Sequence, residues 1–121
     1  MKNGNVLVEK SYAFAIRIVK LSQYLIGEKR EYVLSKQVMR SGTSVGALIS
    51  ESKFAQSKAD FEHKLMIALK EANETEYWIN LLHDTEYITS KEYKSLHQDI
   101  DQLISLLVSI TKTLKNKGST K

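Results

Sequence analysis

Residues 89–114 read TSKEYKSLHQDIDQLISLLVSITKTL, and the spacing inside this stretch decides the fold. Tyr93, Leu96, Ile100, Leu103, Leu107, Ile110 and Leu114 recur at alternating steps of three and four, which lays one unbroken apolar seam along a helix in a heptad repeat. Thr89 with Glu92 three positions on is a capping-box signature at its start. Such a seam has to be buried against other elements, so the remaining chain must supply partners for it.

Three more segments have the same period. Leu7, Ser11, Phe14, Ile18, Leu21 and Leu25 mark a first helix over about 7–27, with Gly27 as its natural stop. Leu34, Val38, Ser41, Val45, Leu48 and Ser52 mark a second over about 33–52, whose small members and Gly42 and Gly46 let a neighbouring backbone come close. Phe61, Leu65, Ala68, Ala72, Thr75, Ile79 and Leu82 mark a third over 57–83, opened by Ser57 with Asp60 three residues later. The fourth covers 90–115. The chain has no proline and five glycines, so few points force a helix to stop. The linkers, near 28–32, 53–56 and 84–89, are short enough to fold sequential helices back on one another. The expectation is an all-α, antiparallel up-down-up-down four-helix bundle filling one domain, 1–121. Period-two alternation is sustained nowhere, which argues against strands.

With 121 residues, 42% hydrophobic and 26% charged, the chain suits one soluble core. No apolar run approaches the roughly 18 residues of a membrane span. The opening Met1-Lys2-Asn3-Gly4-Asn5 leads into a segment broken by Glu9, Lys10 and Arg17 rather than into a signal peptide, and the expected location is the cytoplasm. The chain has no cysteine, which excludes disulfides and thiolate chemistry.

Charge is distributed unevenly. Residues 1–58 hold ten Lys or Arg against four acids, residues 59–101 hold four against ten, and residues 102–121 hold four lysines and no acid. Lys10, Arg17 and Lys20 share the polar side of the first helix, and Lys29, Arg30, Lys36, Arg40, Lys53 and Lys58 follow along the second helix and its linkers. Together they form a candidate phosphate-contacting surface, with an ordinary solvated face as the alternative. Lys112, Lys115, Lys117 and Lys121 also suit the C-terminal end of the fourth helix dipole. Val8, Tyr12, Ala15, Val19 and Ile26 form a second apolar stripe about 100° from the first seam. Met66, Tyr77 and Leu81 do the same on the third helix. Either two neighbours within one bundle cover these residues, or Val8, Tyr12, Val19, Ile26, Met66, Tyr77 and Leu81 contribute to a subunit interface. Tyr77 and Trp78 read as core or interface anchors.

Catalytic constellations are missing. A carboxylate-bridged di-metal bundle needs Glu-x-x-His pairs, and the chain contains none. Asp60 with His63 and His97 with Asp101 have helical spacing, but a metal needs three or four converging ligands, so surface ion pairing is expected there. His63, His83 and His97 accompany no nucleophile-elbow or phosphate-loop spacing. No enzyme, metal or cofactor is expected. Arg40 and Glu51, flanking the second seam, and Glu71 and Glu74, beside the third, are placed to form a half-buried ion-pair network that sets helix register.

Arg40-Ser41-Gly42-Thr43-Ser44-Val45-Gly46-Ala47, Glu51, Gln56-Ser57-Lys58-Ala59-Asp60-Phe61 and Ile67-Ala68-Leu69-Lys70-Glu71-Ala72-Asn73-Glu74-Thr75-Glu76-Tyr77-Trp78, with the opening Ser11-Tyr12-Ala13-Phe14-Ala15 and the later Glu86-Tyr87-Ile88-Thr89, resemble the 23S ribosomal RNA intervening-sequence protein family over nearly the whole chain. The resemblance implies a four-helix bundle assembled as a homopentameric ring. It also implies kinship with accessory proteins of diversity-generating retroelements, which bind nucleic acid and a reverse transcriptase. Leu48 departs from the family pattern, which usually has asparagine there; a site shared with Glu51 and Glu74 would be lost, whereas a structural position accepts leucine by repacking. The expected function is a non-catalytic homo-oligomeric scaffold that binds structured RNA through basic surfaces. The alternative is a scaffold that docks a partner protein such as a polymerase, with nucleic-acid contact incidental.

Overall fold

The computed structural model describes residues 2–119, with side chains from 6 to 116. Four helices follow one another: α1 (Lys2–Gly27), α2 (Leu34–Ser52), α3 (Lys58–Asp84) and α4 (Ser90–Ser119). The capping signatures act at the starts of α3 and α4. Asp60 N donates to Ser57 Oγ at 3.0 Å, and the Asp60 carboxylate accepts from Gln56 N at 3.1 Å. Glu92 N donates to Thr89 Oγ1 at 3.1 Å while Glu92 Oε1 accepts from Thr89 N at 2.8 Å, a full reciprocal box.

Sequence spacing and structure differ most at two helix ends. α1 begins five residues before Leu7 and α4 runs past Leu114 to Ser119, because no proline interrupts either extension. α1 ends at Gly27, yet the left-handed residue that closes it is Arg30, at φ 54°. Glu31 N then donates to Leu25 O six residues back at 2.9 Å, one residue wider than a Schellman closure. The end of α3 makes the Schellman closure itself, with Glu86 at φ 67° and Tyr87 N donating to Leu82 O five residues back at 2.9 Å.

The cross-helix contacts give the topology. Gly42 lies on Ile18 and Gly46 on Ser11, Tyr93 reaches Asn80 and His97 reaches Glu76, and Lys10 reaches Gln102 while Arg17 reaches Asp99. In each pairing one number rises as the other falls, so α1–α2, α3–α4 and α1–α4 are antiparallel. Helix α2 is therefore antiparallel to α3, and the bundle runs up-down-up-down. Each helix packs on its two neighbours in the ring; among the described residues the diagonal backbones stay farther apart than adjacent ones, and α1–α4 is the thinnest of the four contacts.

One core fills the interior. The α1 seam, all of the α3 seam except Phe61, and Leu96 through Ile110 of the α4 seam are buried. On α2 the stripe is rotated from expectation: Ile49 is buried and Leu48 only partly, packed against the core edge. Small residues open the interior to close approach. A Cβ on Gly42 would stand 2.8 Å from Ile18 Cγ1, and one on Gly46 would stand 3.2 Å from the Ser11 carbonyl oxygen. Between α2 and α3, buried Thr75 Oγ1 bonds Ser41 Oγ at 2.9 Å, so two core hydroxyls satisfy each other. No described helix is long and apolar enough to cross a membrane.

Candidate nucleic-acid and subunit surfaces

The nine basic candidates do not form one patch. Arg17 lies against α4, donating to Asp99 Oδ2 at 2.6 Å and to the Ser95 carbonyl at 3.3 Å. Arg40 lies against α3, donating to Glu71 Oε1 at 2.9 Å and to Glu74. Both guanidinium groups are thus neutralised within the molecule. Lys10 donates to Gln102 at 3.1 Å. Lys53 and Lys58 stand at the end holding the α2–α3 linker, whereas Lys29, Arg30 and Lys36 stand at the other, separated by the 19 residues of α2, roughly 28 Å. Spacing along a single chain carries no signal for this, because the acids that engage Arg17 and Arg40 come from helices far away in sequence.

Lys29, Arg30 and Lys36 are exposed and have no carboxylate partner among the described residues; Lys29 Nζ sits 6.0 Å from the Tyr24 ring centre. Lys20 is exposed and unpaired as well. The side chain of Lys117, and Lys121 altogether, lie outside the described residues.

The expected polar network forms without Glu51. Arg40 bridges Glu71 and Glu74, and Glu74 Oε2 also accepts from Trp78 Nε1 at 3.0 Å, so Trp78 is tied into the same cluster. Glu51 is exposed and three turns along α2 from Arg40, roughly 16 Å away, which puts the pair out of reach. The histidine pairs also differ from their helical spacing. His97 Nε2 meets Glu76 on α3 at 3.0 Å rather than Asp101, Asp60 approaches Lys64 at 4.0 Å rather than His63, and the His83 ring stacks on Tyr93 at 4.2 Å. Among the described residues no group of three or more metal-ligating side chains converges.

The second stripe of α1 is only partly covered. Val8 and Val19 are half-buried, but Tyr12 remains 70% exposed and Ile26 44%, and Ile16, which the stripe reading omitted, is 44% exposed beside them. This stripe faces away from α4: Val19 lies two residues, roughly 200° of helix rotation, from Arg17, which contacts α4. It therefore forms the outer α1–α2 face. On α3, Met66 and Leu81 are half-buried and Tyr77 is 60% exposed. Met66 lines a shallow groove with Leu69 and Val108 on the α3–α4 side of the bundle, whereas Tyr77 packs edge-on against Trp78, whose indole bonds Glu74 in the α2–α3 cluster.

Comparison with known proteins places this architecture. The chain is similar to a crystallised protein of unknown function from the S23 ribosomal protein family of Bacteroides thetaiotaomicron. They are 55% identical with a TM-score of 0.89, over 91% of this chain and 98% of that one. No curated protein matches the chain. The family model for the 23S rRNA-intervening sequence protein matches residues 4–109. An all-α four-helix chain matched over most of its length in this way belongs to the 23S rRNA-intervening sequence protein family.

Proposed function

We propose that this protein is a non-catalytic homo-oligomeric scaffold that binds structured RNA through phosphate contacts. The observation that carries the reading is the trio Lys29, Arg30 and Lys36, exposed at one end without carboxylate partners, in a family named for an insertion in 23S ribosomal RNA. Unpaired surface cations release counterions when they meet phosphates, whereas Arg17 and Arg40 would first have to break internal pairs. Self-association rests on the apolar residues left exposed on two helices, Tyr12, Ile16 and Ile26 on α1 and Tyr77 on α3. Unlike patches on different helices favour a head-to-tail contact, which makes a ring where the rotation closes, and the family resemblance implies five copies.

Binding to ribosomal RNA fragments should weaken steeply with salt. Replacing Lys29, Arg30 and Lys36 together by glutamine should lower the slope of log affinity against log salt by about two to three. An unchanged slope removes this surface from the account. A second reading is a scaffold that docks another protein such as a polymerase; the 83% exposed Phe54 on the α2–α3 linker favours it. One stoichiometric protein recovered after nuclease treatment would decide for that reading, and loss of all associated material would decide for RNA.

A further inference from the structure

The exposed aromatic in the 28–33 loop is held in place by its surroundings. Glu28 N donates to Tyr24 O at 2.8 Å and Glu31 N to Leu25 O at 2.9 Å, fixing the loop to the end of α1. The Glu31 carboxylate then accepts from Val33 N, Leu34 N and Ser35 N at 3.3, 3.1 and 2.8 Å, fixing it to the start of α2. A loop tied at both ends still leaves Tyr32 58% and Val33 70% exposed. It also keeps Arg30 at φ 54°, a conformation that costs a non-glycine residue stability. The positions that would ordinarily relax to glycine or to a polar residue instead hold a guanidinium and a phenol ring in water.

We infer that this loop receives an unpaired RNA nucleotide, its base stacked on the Tyr32 ring and its flanking phosphates met by Arg30 and Lys36. The inference rests on the RNA reading above and narrows it to single-stranded segments. A ring and separated cations fit an unpaired base between two phosphates, and every base offers a face to stack. In a duplex the base faces are covered by their neighbours and cannot reach Tyr32. The helix end offers no alternative for a phosphate, because Glu31 already occupies the first amides of α2 with a negative charge. Within the trio, Lys29 lines a cleft with His83, Asp84 and Glu86, so Arg30 and Lys36 are the two cations left to flank the base on Tyr32.

The test measures fluorescence anisotropy of a labelled unstructured RNA of about ten nucleotides and of its fully paired duplex at low salt. The proteins are the natural chain, Tyr32→Ala, Tyr32→Phe, Phe54→Ala and the Lys29→Glu/Arg30→Glu/Lys36→Glu triple variant. Each is checked for helicity by circular dichroism and for mass by light scattering. Tyr32→Ala should weaken single-strand binding about tenfold and leave duplex binding unchanged. Tyr32→Phe should stay within about twofold of the natural chain, and Phe54→Ala should do the same. Equal losses on both RNAs, no loss with Tyr32→Ala, or a loss transferred to Phe54→Ala overturns the inference. So does a fall in oligomer mass with Tyr32→Ala, which would put a second copy over the ring. If the triple variant loses RNA and Tyr32→Ala does not, the RNA reading stands and the stacking fails. If the natural chain binds neither RNA, both fall.

Discussion

Gly42 makes room for Ile18 by having no side chain. Replacing it by alanine adds helix propensity worth about 1 kcal/mol, but the new Cβ falls 2.8 and 2.9 Å from two γ carbons of a fully buried, stiff β-branched residue. The clash should win. Gly42→Ala is expected to lower stability by about 1–3 kcal/mol in urea denaturation. At Arg30 the balance runs the other way: Arg30→Gly relieves the left-handed strain and should raise stability by about 0.5–1 kcal/mol while weakening RNA binding. A gain in both would show that the arginine is there by accident. Leu48 packs on the core edge as an apolar residue and needs no polar partner.

Between elements, the Arg40 clasp is the main charged contact holding α2 to α3. Half-exposed ion pairs are worth little alone, but Glu71 is only 13% exposed, so removing its cation leaves a carboxylate poorly hydrated. Arg40→Ala should cost about 1 kcal/mol, and a double-mutant cycle with Glu71→Ala should recover part of it. The seams of α1, α3 and α4 are legible in sequence because their apolar residues repeat at alternating steps of three and four over five turns or more. The α2 stripe was harder to read. Ser41, Gly42 and Ser52 are buried as thoroughly as leucines, and Leu48 and Ile49 compete for one position. The start of α2 falls at Leu34, within a residue of the expected 33, but its capping group has no local signature because Glu31 reaches in from outside the helix. The pairing of Arg17 with Asp99 joins residues 82 positions apart, a separation at which local spacing carries no information. Glu51 was assigned by helix face alone, and face does not measure distance along the axis.

At the scale of the whole molecule, Tyr12, Ile16 and Ile26 on α1 and Tyr77 on α3 remain in water in the single chain. If a second copy covers them, Tyr12→Lys with Ile16→Lys should convert the oligomer to a monomer in light scattering with helicity retained; an unchanged mass would remove that face from the assembly. The thin α1–α4 contact has a consequence for kinetics. Three of the four helix contacts join neighbours in sequence, and only α1–α4 joins the two extremes, so the mean contact order is low and folding should finish in microseconds to milliseconds. The α1–α4 contact has the largest loop to close and should form after the rate-limiting step. Leu96, which shares a cleft with Leu21 of α1, then becomes a kinetic reporter. Leu96→Ala should accelerate unfolding by most of its equilibrium cost of about 2–4 kcal/mol and leave the refolding arm of the chevron nearly unmoved.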